Sequence, residues 1–174
     1  MKAKHQCLLL LLAALLFVTP LTFAGAVSGV ARVVITKQEA ARFNFGDKSW
    51  NDIWAGIKQT HATARFRGPG PIIDVVSPML HKDPKGKLVT RTTTPVHLDV
   101  KVKPRDVKVD MKSLHVCAVT FIHCWDMTDK FIAGFHDGEL KAKYAVPKGK
   151  YILRVEIKDV EHSETSIEIS VQVT

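Results

Sequence analysis

The chain has 174 residues, 46% of them hydrophobic, and a formal net charge of +8 at pH 7. Its basic residues are not bunched into one patch and are not interleaved with aromatic residues, which disfavours nucleic acid as a partner. The sequence contains neither an internal repeat nor a low-complexity tract.

Residues 1–26 have the three parts of a secretory signal peptide. Two lysines form a positive N-terminal region, residues 8–18 form an apolar run, and small residues follow up to Ala26. The apolar run is shorter than the roughly twenty residues that a membrane span needs. We therefore expect cleavage after Ala26, with Ala24 as the next choice and a retained signal anchor as the alternative. The mature protein is then periplasmic or secreted, and it meets the membrane only through an uncleaved signal segment.

Cleavage at this point leaves 23 of the 25 basic residues against 17 acidic ones, a formal charge of +6. Many of the bases lie on the outward phase of predicted strands, where solvated side chains are typical. They include Lys101, Lys103, Lys141, Lys143, Arg154 and Lys158. The alternative is that these basic side chains bind a polyanion.

Residues 27–70 form an N-terminal extension that differs from the rest of the chain. One short strand is expected within residues 30–37. A helix is predicted over about 49–59, because Ser49 is a favourable N-cap and Asp52 stands at the third helical position in a capping-box-like arrangement.

Four apolar residues of this helix recur at i, i+3, i+4 and i+7 and share one face. They are Trp50, Ile53, Trp54 and Ile57. A helix this short is marginal without tertiary support, so we favour packing of the stripe on the domain behind it. The alternative is that Trp50 and Trp54 form an exposed docking element for a partner or a membrane surface. A Gly/Pro-rich linker over residues 65–71 marks the domain boundary.

Beyond residue 70 the chain predicts strands separated by turn residues, with no strong helical periodicity. The clearest strands fall at residues 72–76, 96–102, 114–122, 140–146, 151–157 and 167–173. With a short bend at 107–109 this makes about seven strands in about a hundred residues, the size of an immunoglobulin-like sandwich. We therefore predict an all-β domain over residues 71–174, an antiparallel immunoglobulin-like β-sandwich.

The C-terminal residues carry the most distinctive pattern. The run PKGKYILRVEIKD, a polar turn and the run SIEISVQV resemble the last two strands of bacterial immunoglobulin-like and fibronectin type III-like domains. The resemblance covers residues 71–174. In such domains a tyrosine near the start of the penultimate strand often hydrogen-bonds to a nearby backbone group, and the resemblance implies this role for Tyr151.

Two cysteines, Cys117 and Cys124, remain once Cys7 is removed with the signal peptide. Exported compartments permit disulfides. The spacing allows a bridge if the chain turns between the two residues and brings their Cα atoms to about 5.5 Å. We expect this bridge, which would stiffen a loop and would not hold the domain together.

Soft ligands near these cysteines indicate a metal site as the alternative, because copper and zinc favour thiolate, imidazole and thioether groups. The candidate ligands are His115, Cys117, His123, Cys124 and Met127, with His136 as a further one. Their order does not match a blue-copper site, in which the cysteine precedes the histidine and the methionine. We favour the interpretation that the two cysteines form a disulfide and that the histidines lie on the surface.

The sequence contains no G-x-S-x-G elbow, and a catalytic cysteine would need a thiolate that the disulfide removes. We therefore predict a non-catalytic, exported binding or structural module of the cell envelope with no cofactor. Its expected partner is another envelope protein or a surface component. The expected contacts are the loops at the ends of the sandwich, a free edge strand or the Trp50/Trp54 face. The alternatives are a periplasmic copper or zinc carrier and a polyanion-binding envelope protein.

Overall fold

The computed structural model describes residues 31–60 and 69–174. The predicted signal peptide over 1–26 and most of the predicted linker over 65–71 lie outside these ranges, so both stay predictions. No helix within the two ranges is long and apolar enough to cross a membrane.

In this part of the chain there are eleven strands and three helices. The strands are β1 (Arg32–Val33), β2 (Ile72–Ser77), β3 (His81–Lys82), β4 (Leu88–Thr92), β5 (Val96–Lys103), β6 (Val109–Val119), β7 (Cys124–Asp126), β8 (Phe135–His136), β9 (Glu139–Ala145), β10 (Gly149–Asp159) and β11 (Glu164–Val173). The helices are α1 (Lys37–Phe43), α2 (Trp50–Thr60) and α3 (Thr128–Ile132).

The strands form two mixed sheets that face each other across one hydrophobic core. The five-stranded sheet has the order β1-β9-β5-β2, with β8 also paired to β9, and the six-stranded sheet has the order β3-β4-β11-β10-β6-β7. Two pairs, β1 with β9 and β4 with β11, are parallel, whereas the other pairs are antiparallel. The predicted all-β class is confirmed, but the sheets are mixed and contain more strands than the sequence indicated.

The additional strands explain this difference. β1 falls within residues 30–37, where one short strand was expected. Of the strands that were not predicted, β3 and β8 have two residues each and β7 has three, too few for an alternation of period two to be visible, and β4 has five. Their pairing therefore depends on the neighbouring strands that they meet in the folded chain and not on local pattern.

The C-terminal hairpin is the longest antiparallel pairing, running from Gly149 opposite Val173 to Lys158 opposite Glu164. Its alternation places Tyr151 and Val171 on the inner face of the six-stranded sheet, where both are buried. Ile152 points to the outer face and is nevertheless buried, because α2 covers that part of the sheet.

A second hydrophobic core lies between α2 and the outer face of the six-stranded sheet. The helix contributes Ile53, Trp54 and Ile57, which are buried. The sheet contributes Cys117 and Val119 together with Ile152. The apolar stripe predicted for the helix thus packs on this sheet, which supplies the tertiary support that a short helix needs.

The N-terminal extension contains a helix that the sequence analysis did not predict. Thr36 caps α1 through a capping box: its hydroxyl accepts a hydrogen bond from the Glu39 N–H at 3.2 Å, and the Glu39 carboxylate accepts one from the Thr36 N–H at 2.9 Å. Ala40 and Phe43 of α1 pack into the core between the sheets. β1 adds a parallel strand beside β9.

Two tyrosines of the core differ in how their hydroxyl groups are satisfied. The Tyr151 hydroxyl donates a hydrogen bond to the Pro147 carbonyl at 2.9 Å, the contact that the resemblance implies. The Tyr144 hydroxyl is buried and has no hydrogen-bond partner among the described residues. Burial raises the pKa of both phenols.

Replacing each of these tyrosines by phenylalanine should affect the free energy of unfolding differently. Tyr151→Phe removes a buried hydrogen bond and leaves a carbonyl unpaired, so we expect it to lower the free energy of unfolding by about 1 kcal/mol. Tyr144→Phe removes a hydroxyl that is buried without a partner and should be neutral or slightly stabilising. Urea unfolding at neutral pH measures both. An equal loss in the two variants would contradict the assignment.

Glu39 also connects α1 to α3. Its carboxylate lies 2.6 Å from the Lys130 ammonium, and the hydrogen bond to Lys130, followed by the one from the Thr36 backbone, lowers the Glu39 pKa from 4.5 to about 2. Because the folded-state pKa lies below the ordinary value, the ionised carboxylate stabilises the fold above about pH 4.5. This stabilisation is lost as the pH falls towards 2.

We therefore expect Glu39→Gln to lower the thermal unfolding midpoint at pH 7 and to change it progressively less as the pH falls from 5 to 2. Thermal unfolding followed by circular dichroism across this range measures the difference. Glu161→Gln, at an exposed position in the turn between β10 and β11, is the matched control and should show no such convergence. A difference between wild type and Glu39→Gln that is constant with pH would contradict the role of the ion pair.

Candidate functional site

The two tryptophans predicted as a docking element lie on α2. Trp54 is only 5% exposed, and the Lys87 ammonium lies 4.1 Å from the centre of its ring. Trp50 is partly buried at the edge of the same core, with the Lys150 ammonium 6.0 Å from its ring centre. Most of the aromatic surface is thus used to attach α2 to the six-stranded sheet, and little of it is left for a partner.

The two cysteines form a disulfide between the neighbouring strands β6 and β7. The Cα atoms of Cys117 and Cys124 are 5.5 Å apart, and Cys117 is completely buried beneath α2. The bridge closes a hairpin whose tip is held by hydrogen bonds between Thr120 and His123. It therefore fixes the hairpin to the layer that α2 covers.

The five residues considered as metal ligands do not converge. The sulfurs of Cys117 and Cys124 are bonded to each other, and Met127 is buried in the core between the two sheets. His123 lies at the hairpin tip, where its ring packs edge-on against Trp125 at 5.6 Å. Within residues 31–60 and 69–174 no group of three or more His, Cys, Asp or Glu side chains is placed to hold a metal ion. His136, on β8, belongs to the other sheet.

His115 is instead part of a row of polar and charged side chains across the outer face of the six-stranded sheet. One ring nitrogen lies 3.3 Å from the Glu156 carboxylate and the other 3.8 Å from that of Asp126. The Thr128 hydroxyl and backbone N–H, by hydrogen bonding to Asp126, lower the pKa of that carboxyl. Cross-strand contacts between polar and charged side chains account for this row.

The same row continues through Arg154, whose Nε donates a hydrogen bond to the Glu168 carboxylate at 2.9 Å on the neighbouring strand. Charges that satisfy one another in this way stabilise the sheet face.

A free strand edge is found on the other sheet. β2 is the terminal strand of the five-stranded sheet, and within the described residues no strand pairs with its outer edge. Ile72, Val76 and Met79 are 39%, 52% and 72% exposed, and they are three of the eight large apolar side chains exposed in this part of the chain. Such an edge offers unpaired backbone donors and acceptors beside apolar side chains. We name this surface the β2 edge.

Beneath the β2 edge the two sheets are not fully packed against each other. β5 and β10 each have a neighbouring strand on both sides, yet their inner-face residues Leu98, Val100, Leu153 and Val155 are only partly buried. These side chains line a cavity of about 80 Å³ whose lining is entirely apolar. We name this cavity the interlayer cleft.

The exposure of its lining residues shows where the interlayer cleft opens. On the side of α3 and β9, Phe131, Leu140 and Tyr144 are all buried. On the side of β2, Ile73, Val75 and Leu80 are partly exposed. The interlayer cleft is therefore closed towards α3 and opens beside the β2 edge.

A free edge strand was among the contacts expected from the sequence, but β2 was not identified as that strand. The signal lies in the run IIDVVS, because Ile72 and Val76 are apolar on the phase opposite to Ile73 and Val75. An exposed strand of an ordinary sheet would carry polar residues at such positions. The interlayer cleft has no sequence signal, since it depends on the distance between two sheets.

No protein-family model matches this chain, and no curated protein or solved structure is significantly similar to it.

Removal of the disulfide should cost stability and should not unfold the protein. The loop that Cys117 and Cys124 close is short, so the double variant Cys117→Ala/Cys124→Ala should lose about 2 kcal/mol in urea unfolding. Alanine is preferred to serine because Cys117 is completely buried and a hydroxyl there would lack a partner. Chemical reduction of the wild type is the control and should reproduce most of the loss. Free thiols in the unreduced wild type would contradict the bridge.

Proposed function

We propose that the chain is an exported, non-catalytic, immunoglobulin-like binding module of the cell envelope. The strand neighbours support the immunoglobulin-like assignment. β2-β5-β9 in one sheet and β6-β10-β11 in the other follow the A-B-E and C-F-G neighbours of such sandwiches. The hydrogen bond from Tyr151 to Pro147 corresponds to their tyrosine corner.

Export is supported by two independent features. Residues 1–26 have the pattern of a secretory signal peptide. The bond between Cys117 and Cys124 is of a kind that persists in oxidising compartments such as the periplasm and the extracellular space. Both features agree with a working location outside the cytoplasm.

A binding role is supported by the nature of the exposed surfaces. The accessible surface of the interlayer cleft is contributed by apolar atoms, which favours the binding of an apolar group. The charged row around His115 and Arg154 is internally paired. Neither surface has the arrangement of nucleophile, base and orienting group that covalent catalysis uses.

The observation that carries the proposal is the β2 edge. Natural sheets usually protect a terminal strand with charges, proline or a covering segment. β2 has one charged residue, Asp74, which pairs with Lys103 of the neighbouring strand at 3.3 Å. Exposed Ile72, Val76 and Met79 surround it.

We infer that an extended segment of another envelope protein adds to the five-stranded sheet along β2. Main-chain hydrogen bonds give such strand addition its affinity, and alternate side chains give it specificity. The register of β2 against β5 shifts between Val75 and Ser77, so the regular part of the edge comprises the residues up to Val75. A partner strand is therefore expected to pair along that part and to contact Val76 and Met79 beyond it.

A photo-crosslinking residue at position 79 tests this docking, because Met79 is the most exposed apolar residue beside β2. In the export compartment it should crosslink to one partner, and the double change Ile72→Lys/Val76→Lys should reduce that crosslink by about tenfold or more. The crosslinked complex is quantified and identified by mass spectrometry. Ile122→Lys is the control, since Ile122 is exposed but lies at the tip of the hairpin between β6 and β7, in the other sheet. Equal crosslinking in all variants would contradict docking at the β2 edge.

A further inference from the structure

We propose that the interlayer cleft binds one aliphatic side chain of the segment that docks along β2. This inference rests on the proposed function and deepens it, because it names the chemistry that the partner must carry. The ligand is an extended peptide segment with a leucine, isoleucine or valine at an inward-facing position.

The size of the interlayer cleft decides between an aliphatic side chain and a larger apolar ligand. Its volume is about 80 Å³. An apolar cavity that admits benzene, with six carbons, measures roughly 150 Å³. The interlayer cleft therefore has room for about three or four carbons by the same comparison, which is the size of a branched aliphatic side chain. A long acyl chain would not fit.

The lining determines the polarity of the occupant. All of the cavity surface is contributed by apolar atoms, among them those of Leu98, Val100 and Val155. A charged or amide side chain inserted there would lose its hydration without gaining a hydrogen bond. Aspartate, lysine and asparagine are therefore disfavoured at the inserted position.

The position of the opening matches the path of an added strand. A strand beside β2 would lie about 4.8 Å farther out, and every second side chain would point to the inner face of the sheet. Ile73 and Val75 of β2 already point to that face and line the interlayer cleft. An inward side chain of the added strand therefore lies over the opening, which Leu80 also lines.

Filling the gap would also complete the packing of the two sheets. Leu153 and Val155 on the six-stranded sheet and Leu98 and Val100 on the five-stranded sheet are partly exposed in the free protein. An inserted aliphatic group would contact these four residues and remove apolar surface from water. In the free protein the two sheets are therefore not fully packed beneath the edge along which a strand would add.

Three synthetic peptides test the inference. Each has about nine residues, carries only threonine and lysine outside the central position so that no second aliphatic side chain can enter the interlayer cleft, and differs only at that position, which is leucine, alanine or aspartate. We expect the leucine peptide to bind the mature wild-type protein about tenfold more tightly than the alanine peptide, with the aspartate peptide weaker still. Titration calorimetry measures affinity, and hydrogen exchange should show protection of the β2 amides.

A variant that fills the interlayer cleft from the opposite sheet distinguishes insertion of the side chain from main-chain pairing along β2. Val155 lies on β10, away from the β2 edge. Val155→Phe should abolish the preference for leucine over alanine while leaving the affinity for the alanine peptide unchanged. Val160→Phe, at an exposed position, is the size-matched control and should retain the preference. If Val155→Phe lowers the thermal unfolding midpoint, Val155→Ile is used instead. This variant adds one methylene to the interlayer cleft, so it should reduce the preference for leucine over alanine by a smaller amount.

The possible results distinguish this inference from the function on which it rests. Equal binding of the leucine and alanine peptides, with both lost in Ile72→Lys/Val76→Lys, would retain strand docking and overturn the anchor. Two results together would overturn both the anchor and strand docking: none of the three peptides binds, and the crosslink from position 79 is as strong in Ile72→Lys/Val76→Lys as in the protein without these changes. A fluorescent fatty acid tests a hydrocarbon ligand. If it binds stoichiometrically, if Val155→Phe abolishes this binding and if the leucine peptide does not displace it, the ligand is a hydrocarbon and the peptide anchor is overturned.

Discussion

The rest of the structure depends on the pairing of β10 with both β6 and β11. This strand lies inside the six-stranded sheet and sends Tyr151 into the core between the sheets, while Ile152 meets α2 on the outer face. A strand that is covered on two faces connects three layers of structure. Because apolar burial is the main favourable term in folding, this central strand holds the sandwich and the N-terminal extension together.

The outer face of the same sheet is divided between apolar and charged regions. α2 and the disulfide cover one region, where Cys117 and Ile152 are buried. The row that contains His115, Arg154 and Glu168 occupies the remainder. The division follows from one rule, since outward side chains are apolar only where another element excludes water. It also explains why Trp54 and Cys117 are buried beneath α2, whereas His115 contacts Glu156 on the part of the face that α2 leaves open.

Much of the local structure could be predicted because each element carries its own signal. Ser49 and the apolar stripe predict α2, the alternation from Tyr151 onwards predicts the terminal hairpin, and the spacing of Cys117 and Cys124 allows their bridge. The short strands β3, β7 and β8 were missed for the opposite reason. Two residues such as His81 and Lys82 become a strand only because β4 lies beside them. Helix α1 was missed although Thr36 and Glu39 form a capping box, because it has only seven residues.

The sequence by itself determined the all-β class, the inward and outward faces of the long strands, the amphipathic helix and the residues able to form a disulfide. These properties depend on periodicity and on spacing along the chain, which are local. Only the tertiary structure decided that two strand pairs are parallel, that β2 has a free edge among residues 31–60 and 69–174, and that the sheets leave a cleft beneath it. Those properties depend on which distant segments meet and how closely they approach, and no local pattern encodes a distance between two sheets.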